Sequence, residues 1–179
     1  MASMLDQDSE AEILHGIPDG ELQDFIDWRL RVRGANISEK TLLATDYLNH
    51  FNEIVMLIEM VPDMPDMIEE CRIWQPKSYQ QHFRDSGFSE KALAIEAYDH
   101  VPHKFRIPFE ATIAQMDAVV MFTVGRMDAA LTTETPERLR FECSTSVDML
   151  HKIMQVANGI IHGAAHVMQQ TDIDAYMGV

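Results

Sequence analysis

The chain reads as an all-α protein, an antiparallel helical bundle of four to five main helices with a long C-terminal helical hairpin. Apolar residues recur at helical spacing through most of the 179 positions. The alternation that a half-buried strand needs is almost absent. Glycine is scarce, with 8 in all, so few points along the chain invite a turn.

Residues 1–17 are acidic, which predicts a flexible N-terminal segment, disordered or loosely docked. Pro18-Asp19-Gly20 then turns into a short helix over 21–33 that Gly34 ends. Ser38 stands at an N-cap position before Glu39-Lys40-Thr41, predicting a second helix to Val61, where Pro62 stops it. In residues 62–88, Asp66 caps a short helix ending near Trp74. The remainder, with Pro76, Tyr79, His82, Phe83 and Phe88, reads as a loop packed by its own aromatics.

Ser89 caps a third main helix over 90–101, which breaks at Val101-Pro102, and Pro108 opens a fourth that runs to about Leu131. Thr135-Pro136 combines an N-cap with proline at the first helical position. The last helix continues from there towards Gln170, with Ser144-Thr145-Ser146 as the one point of interruption. Residues 18–170 therefore form one domain, and residues 171–179 are a flexible tail.

Charge narrows the partners. A net charge of -15 repels phosphate backbones and argues against nucleic acid, whereas it suits a basic protein partner. The basic cluster Trp28-Arg29-Leu30-Arg31-Val32-Arg33 reads as the solvated side of a short amphipathic helix. Cys71 and Cys143 lack CxxC spacing, and the N-terminus lacks a charged-then-apolar signal pattern, so a reducing cytoplasm is the expected setting. Uninterrupted apolar runs such as Ile54–Ile58 and Ala118–Phe122 are too short to cross a bilayer, and no membrane contact is expected. No P-loop, G-x-G-x-x-G or G-x-S-x-G motif is present, and no catalytic residue is assigned.

Titratable groups cluster on three helical faces. His151, His162 and His166 fall within ~60° of one another, on the side away from the apolar residues of the same helix, and read as a solvated face. His50 lies at the border of an apolar face with Asp46 one turn before it and Glu53 one turn after. Glu96 and His100 share a face of the third helix. Glu110, Asp117 and Asp128 fall within ~20° beside the apolar face of the fourth. Acids at the edge of so apolar a helix need partners, because an unpaired buried carboxylate is costly.

Three functions are consistent with this pattern. The first is a non-enzymatic regulatory or adaptor protein working through protein contacts, with Trp74, Tyr79 and Phe83 of the aromatic loop and Ile173 and Tyr176 of the tail as partner-binding residues. The second is a metal-binding bundle holding iron, manganese or zinc through Asp46, His50 and Glu53, with Glu96, His100 or Asp117 completing the shell. The Glu-x-x-His order of di-iron bundles is reversed at His50-x-x-Glu53 and too widely spaced at Glu96-x-x-x-His100, so no family is assigned. The third is phosphotransfer with His50 as acceptor. A final helix this long also offers a homodimer a seam.

Overall fold

The computed structural model describes residues 4–133, 135–164 and 168–178. The chain is all-α, 75% helical, with no strand among the described residues. The helices are α1 (Met4–Leu14), α2 (Asp19–Val32), α3 (Asn49–Met60), α4 (Ile68–Ile73), α5 (Tyr79–Asp85), α6 (Lys91–Tyr98), α7 (His103–Thr133), α8 (Pro136–Ile161) and α9 (Gln170–Met177). Short 3₁₀ turns precede α3 at Thr45–Leu48 and α4 at Pro65–Met67.

The hairpin of α7 and α8 is the spine. Thr135 caps α8 as its sequence suggests, its side chain accepting from the Arg138 N–H at 3.3 Å ahead of Pro136. Phe105, Phe109, Met116, Val120 and Met127 of α7 are buried, as are Leu150, Ile153, Ala157 and Ile160 of α8. Each large apolar side chain so buried contributes ~1.5–3 kcal/mol. Ser144-Thr145-Ser146 does not interrupt α8. The Thr145 and Ser146 hydroxyls donate to the carbonyls of Phe141 and Glu142, at 2.9 and 2.8 Å, and so are satisfied within the helix.

Four element boundaries differ from the sequence reading. First, α7 begins at His103 rather than at Pro108. Pro102 supplies the start, its carbonyl accepting from the N–H groups of Phe105 and Arg106. Pro108 is then carried inside the helix between two buried phenylalanines, Phe105 and Phe109, whose burial offsets the lost hydrogen bond.

Second, α3 begins at Asn49 rather than beside Ser38. Thr41, Leu42, Leu43 and Ala44 are all buried in succession, which a helix stepping ~100° per residue does only when surrounded on all sides. An irregular segment with Leu42 at φ 68° turns all four inward. Thr41 then donates to the Ile161 carbonyl at 2.6 Å, closing the end of α8.

Third, α8 stops at Ile161, well short of Gln170. Gly163, at φ 100°, sits just past the helix, and the N–H groups of Gly163 and Ala164 return to the carbonyls of Ile160 and Gly159 at 2.9 Å each. This is a Schellman closure around a left-handed glycine. The apolar face of α8 is buried within the chain.

Fourth, both ends of the described chain are structured and docked. Residues 4–14 are helical. Ile13 and Ile17 are buried, Arg29 pairs with Glu10 at 2.5 Å, and the Lys104 ammonium donates to the carbonyls of Glu12, Ile13 and His15. At the other end α9 replaces the expected tail, with Ile173 buried and the Tyr176 hydroxyl 2.5 Å from Ser146 Oγ.

By length and composition, α7 is the one helix among the described residues that could cross a membrane, with a hydropathy of 1.3 over its most apolar window. It passes where the uninterrupted runs do not because a helix tolerates scattered polar residues. Within the chain it packs against α4, α8 and α9.

Candidate functional site

The three acids on one face of α7 have three different fates. Glu110 accepts a hydrogen bond from the Tyr98 hydroxyl at 2.8 Å and lies 3.9 Å from Arg106. Asp128 is bonded by Arg72 from α4. Asp117, between them, has Oδ1 buried with no hydrogen-bond partner. Burial pushes its carboxyl up to about 6, since desolvation disfavours the charged form.

Asp117 opens on a cleft of about 350 Å³, at the small end of the range for ligand pockets. Tyr47, Tyr79, Tyr98 and Phe109 form its aromatic wall, and Glu110 shares its rim. Tyr79 stacks on Tyr98 with centroids 4.5 Å apart and an interplanar angle of 17°. Tyr47 lies 5.3 Å from Tyr79 and 5.9 Å from Phe109. These rings arrive from four places in the sequence: the 3₁₀ turn before α3, the start of α5, the end of α6 and the first turns of α7. Ser78 fixes the α5 contribution, capping that helix by accepting from the Gln81 N–H at 3.2 Å.

Each hydroxyl of the wall makes a hydrogen bond within the chain. The Tyr47 hydroxyl donates to the Lys77 carbonyl at 2.7 Å, the Tyr98 hydroxyl donates to Glu110, and the Tyr79 hydroxyl accepts from the Ala44 N–H at 2.8 Å. Burial pushes all three phenols well above their ordinary range, so they stay neutral. Lys77 also lines the cleft, and its ammonium is held 3.1 Å from Asp85, a residue of a neighbouring cleft. What the cleft offers a ligand is ring surface and carboxylate.

The sequence-derived metal set is not brought together. Asp46 accepts from the Asn36 amide at 2.8 Å and lines a separate groove of about 580 Å³ with Asn52, His151 and Gln155. The 3₁₀ turn at Thr45–Leu48 takes Asp46 out of α-helical register with His50, which is why the one-turn spacing misleads. His100 faces α2, with Nδ1 2.6 Å from Asp24 and its ring 4.3 Å from Trp28, and Glu96 is exposed. Among the described residues no group of three histidine, cysteine or acidic side chains is placed to hold a metal.

His50 is 5% exposed and stacks on Trp74. Desolvation pulls its pKa down to about 4, with His82 and Lys77 adding to the effect. Among the described residues its Nε2 is buried and has no hydrogen-bond partner. His50 and Glu53 do line one small cleft of about 230 Å³ with His82 and Asp85. His151 and His162 are exposed as expected, and His166 lies outside the described residues.

The residues assigned to partner binding are mostly core. Trp74, Tyr79, Phe83 and Ile173 are buried, and Tyr176 is half-buried. The segment that carries the first three is indeed packed by its own aromatics, with Tyr79–Phe83 and Phe83–Phe88 centroids 4.7 and 5.1 Å apart. The short helix expected to end near Trp74 is α4, and the rings beyond it face inward because a further short helix, α5, stands where a loop was expected. Sequence reasoning placed Asp117 on its face, but it missed the aromatic wall. Tyr47, Tyr98 and Phe109 lie too far apart in sequence for spacing to reveal their meeting.

Comparison with known family models, with characterised proteins and with solved structures returns no match.

Proposed function

We propose that this chain is a non-enzymatic cytoplasmic recognition protein, a regulatory or adaptor component that engages a basic segment of a partner protein. The observation that carries this reading is how the chain's own cations are used. Asp and Glu number 29 against 14 Lys and Arg. Arg29, Arg33, Arg72, Arg126 and Arg140 each pair with an acid of the same chain. Lys104 is spent on the carbonyls that end α1, and Arg31 lies over the Trp28 ring, 4.6 Å from its centroid. The cluster at 28–33, the one local basic feature of the sequence, is thereby folded back on the protein. The excess of carboxylate remains for a partner of opposite charge, and such a field steers a basic surface towards it.

The test is in-cell crosslinking from the full chain, identification of the captured protein, and affinity measured on the purified pair across a salt series. The reading expects a partner segment of net positive charge whose affinity falls steeply with salt. A pair held by a neutral or acidic segment, with salt-independent affinity, would overturn it.

A further inference from the structure

We propose that the cleft beside Asp117 receives the ammonium group of a lysine side chain, with the alkyl stem lying against the Tyr98 and Phe109 rings and the charge meeting Asp117. The lysine as source rests on the basic partner proposed above; the ammonium chemistry rests on the cleft itself.

Each part of the cleft selects for this group. Asp117 Oδ1 is the one oxygen among the three α7 acids' carboxyls that is buried and without a hydrogen-bond donor. A donor brought by a ligand relieves a desolvation penalty that no side chain among the described residues relieves. That donor must be cationic to gain fully, since a charge-assisted bond is about twice as strong as a neutral one. An anion is rejected, because Glu110 and Asp117 both face the space.

The ligand must also carry an apolar body. The wall hydroxyls are committed to Lys77, Glu110 and Ala44, which leaves ring and aliphatic surface, including Ile113 and Ala114, for contact. A cation within ~6 Å of aromatic rings gains a further ~0.5–2 kcal/mol. A volume of about 350 Å³ is sufficient for a lysine side chain, and because Oδ1 is itself buried the cation meets it when the soft χ2 torsion of Asp117 turns that oxygen towards the cleft.

The direct test titrates the full-length, isotope-labelled protein with n-butylammonium, a lysine side-chain surrogate, following the amide signals of Ala114, Asp117 and Tyr98. The same titration is run with n-butanol and on the Asp117→Asn variant. That variant keeps the shape of the side chain and removes an uncompensated buried charge, so folding is not at risk. The proposal expects saturable binding of butylammonium at these amides, at least tenfold weaker binding in Asp117→Asn, and at least tenfold weaker binding of butanol. Equal binding of butanol, unchanged binding by the variant, or no saturable shift at these amides would each overturn it.

The two readings fail separately. If butylammonium binds and a basic partner is held equally well by Asp117→Asn, the ammonium site stands and its occupation by that partner's lysine is overturned. If a salt-sensitive basic partner is found and butylammonium does not bind, the functional reading stands and the cleft inference is overturned.

Discussion

The indole of Trp74 lies stacked on the imidazole of His50, ring centroids 4.6 Å apart, and its Nε1 donates to the His50 backbone carbonyl at 3.2 Å. This pair ties α4 to the first turn of α3 and makes His50 a packing residue. Its burial sets the sign of a pH effect. The folded pKa of about 4 lies below the unfolded value of 6.5, so the unfolded chain takes up the proton first as pH falls. The stabilising contribution is complete above about pH 6.5 and is lost as pH falls towards 4. Wild type should lose roughly 2–3 kcal/mol to this group over that window. His50→Gln should show a shallower acid limb when unfolding free energy is followed by urea titration at several pH values. An acid limb identical in the two proteins would contradict this assignment.

Tyr79 is the second position where packing replaces a partner-binding role. Its hydroxyl accepts from the Ala44 N–H inside the core, at the end of the irregular segment that carries Leu42 at positive φ. Tyr79→Phe removes one atom and leaves a buried N–H without an acceptor, which should cost about 1–3 kcal/mol. Chemical denaturation reads this directly. A neutral outcome would mean that water or another acceptor reaches the Ala44 amide.

Gly163 ends α8, and its replacement should be disproportionately harmful for an exposed turn. A Cβ added there would stand 2.5 Å from Ile13 Cδ1, and φ 100° is unfavourable for any side chain. Gly163→Ala should cost about 1–3 kcal/mol through backbone strain and should loosen α1, whose Ile13 must move. Hydrogen exchange would report the second effect as faster exchange of the α1 amides than of the α7 amides.

Asp117 gives the opposite pH sign to His50. Its folded pKa, about 6, lies above its ordinary 3.8, so the folded state holds the proton more tightly. That preference favours the fold fully below about pH 4 and is lost as pH rises through 6. Relative to wild type, Asp117→Asn should therefore gain thermal stability between pH 4 and 7, with the two melting temperatures drawing together at the acid end. A variant less stable than wild type at pH 7 would mean that the carboxylate has a partner in the native fold.

Local signals told most of the helical layout and little of the tertiary pairing. The cap at Thr135 and the stop at Pro62 follow from side chains within a few residues of the break. Periodicity failed where two local rules competed. The apolar period continued past Ile161, yet the left-handed glycine at 163 ended the helix. Likewise Ser38 resembled an N-cap, yet four consecutive buried residues required an irregular path.

The site was half legible. The line of Glu110, Asp117 and Asp128 on α7 follows from helical geometry. Which of the three lacks a partner depends on Tyr98 from α6 and Arg72 from α4, and nothing local encodes either meeting. Asp46 and His50 illustrate the converse, a spacing that looked like a site until a 3₁₀ turn moved one member away.

The most direct measurement on the central claim is the ionisation of Asp117 itself, followed through its side-chain carboxyl carbon by NMR titration with and without saturating n-butylammonium. The account predicts a value near 6 in the free protein that falls into the ordinary carboxylate range when the cation is bound, since a neighbouring positive charge favours the ionised form. An ordinary value in the free protein, or one that the cation leaves unmoved, would contradict it.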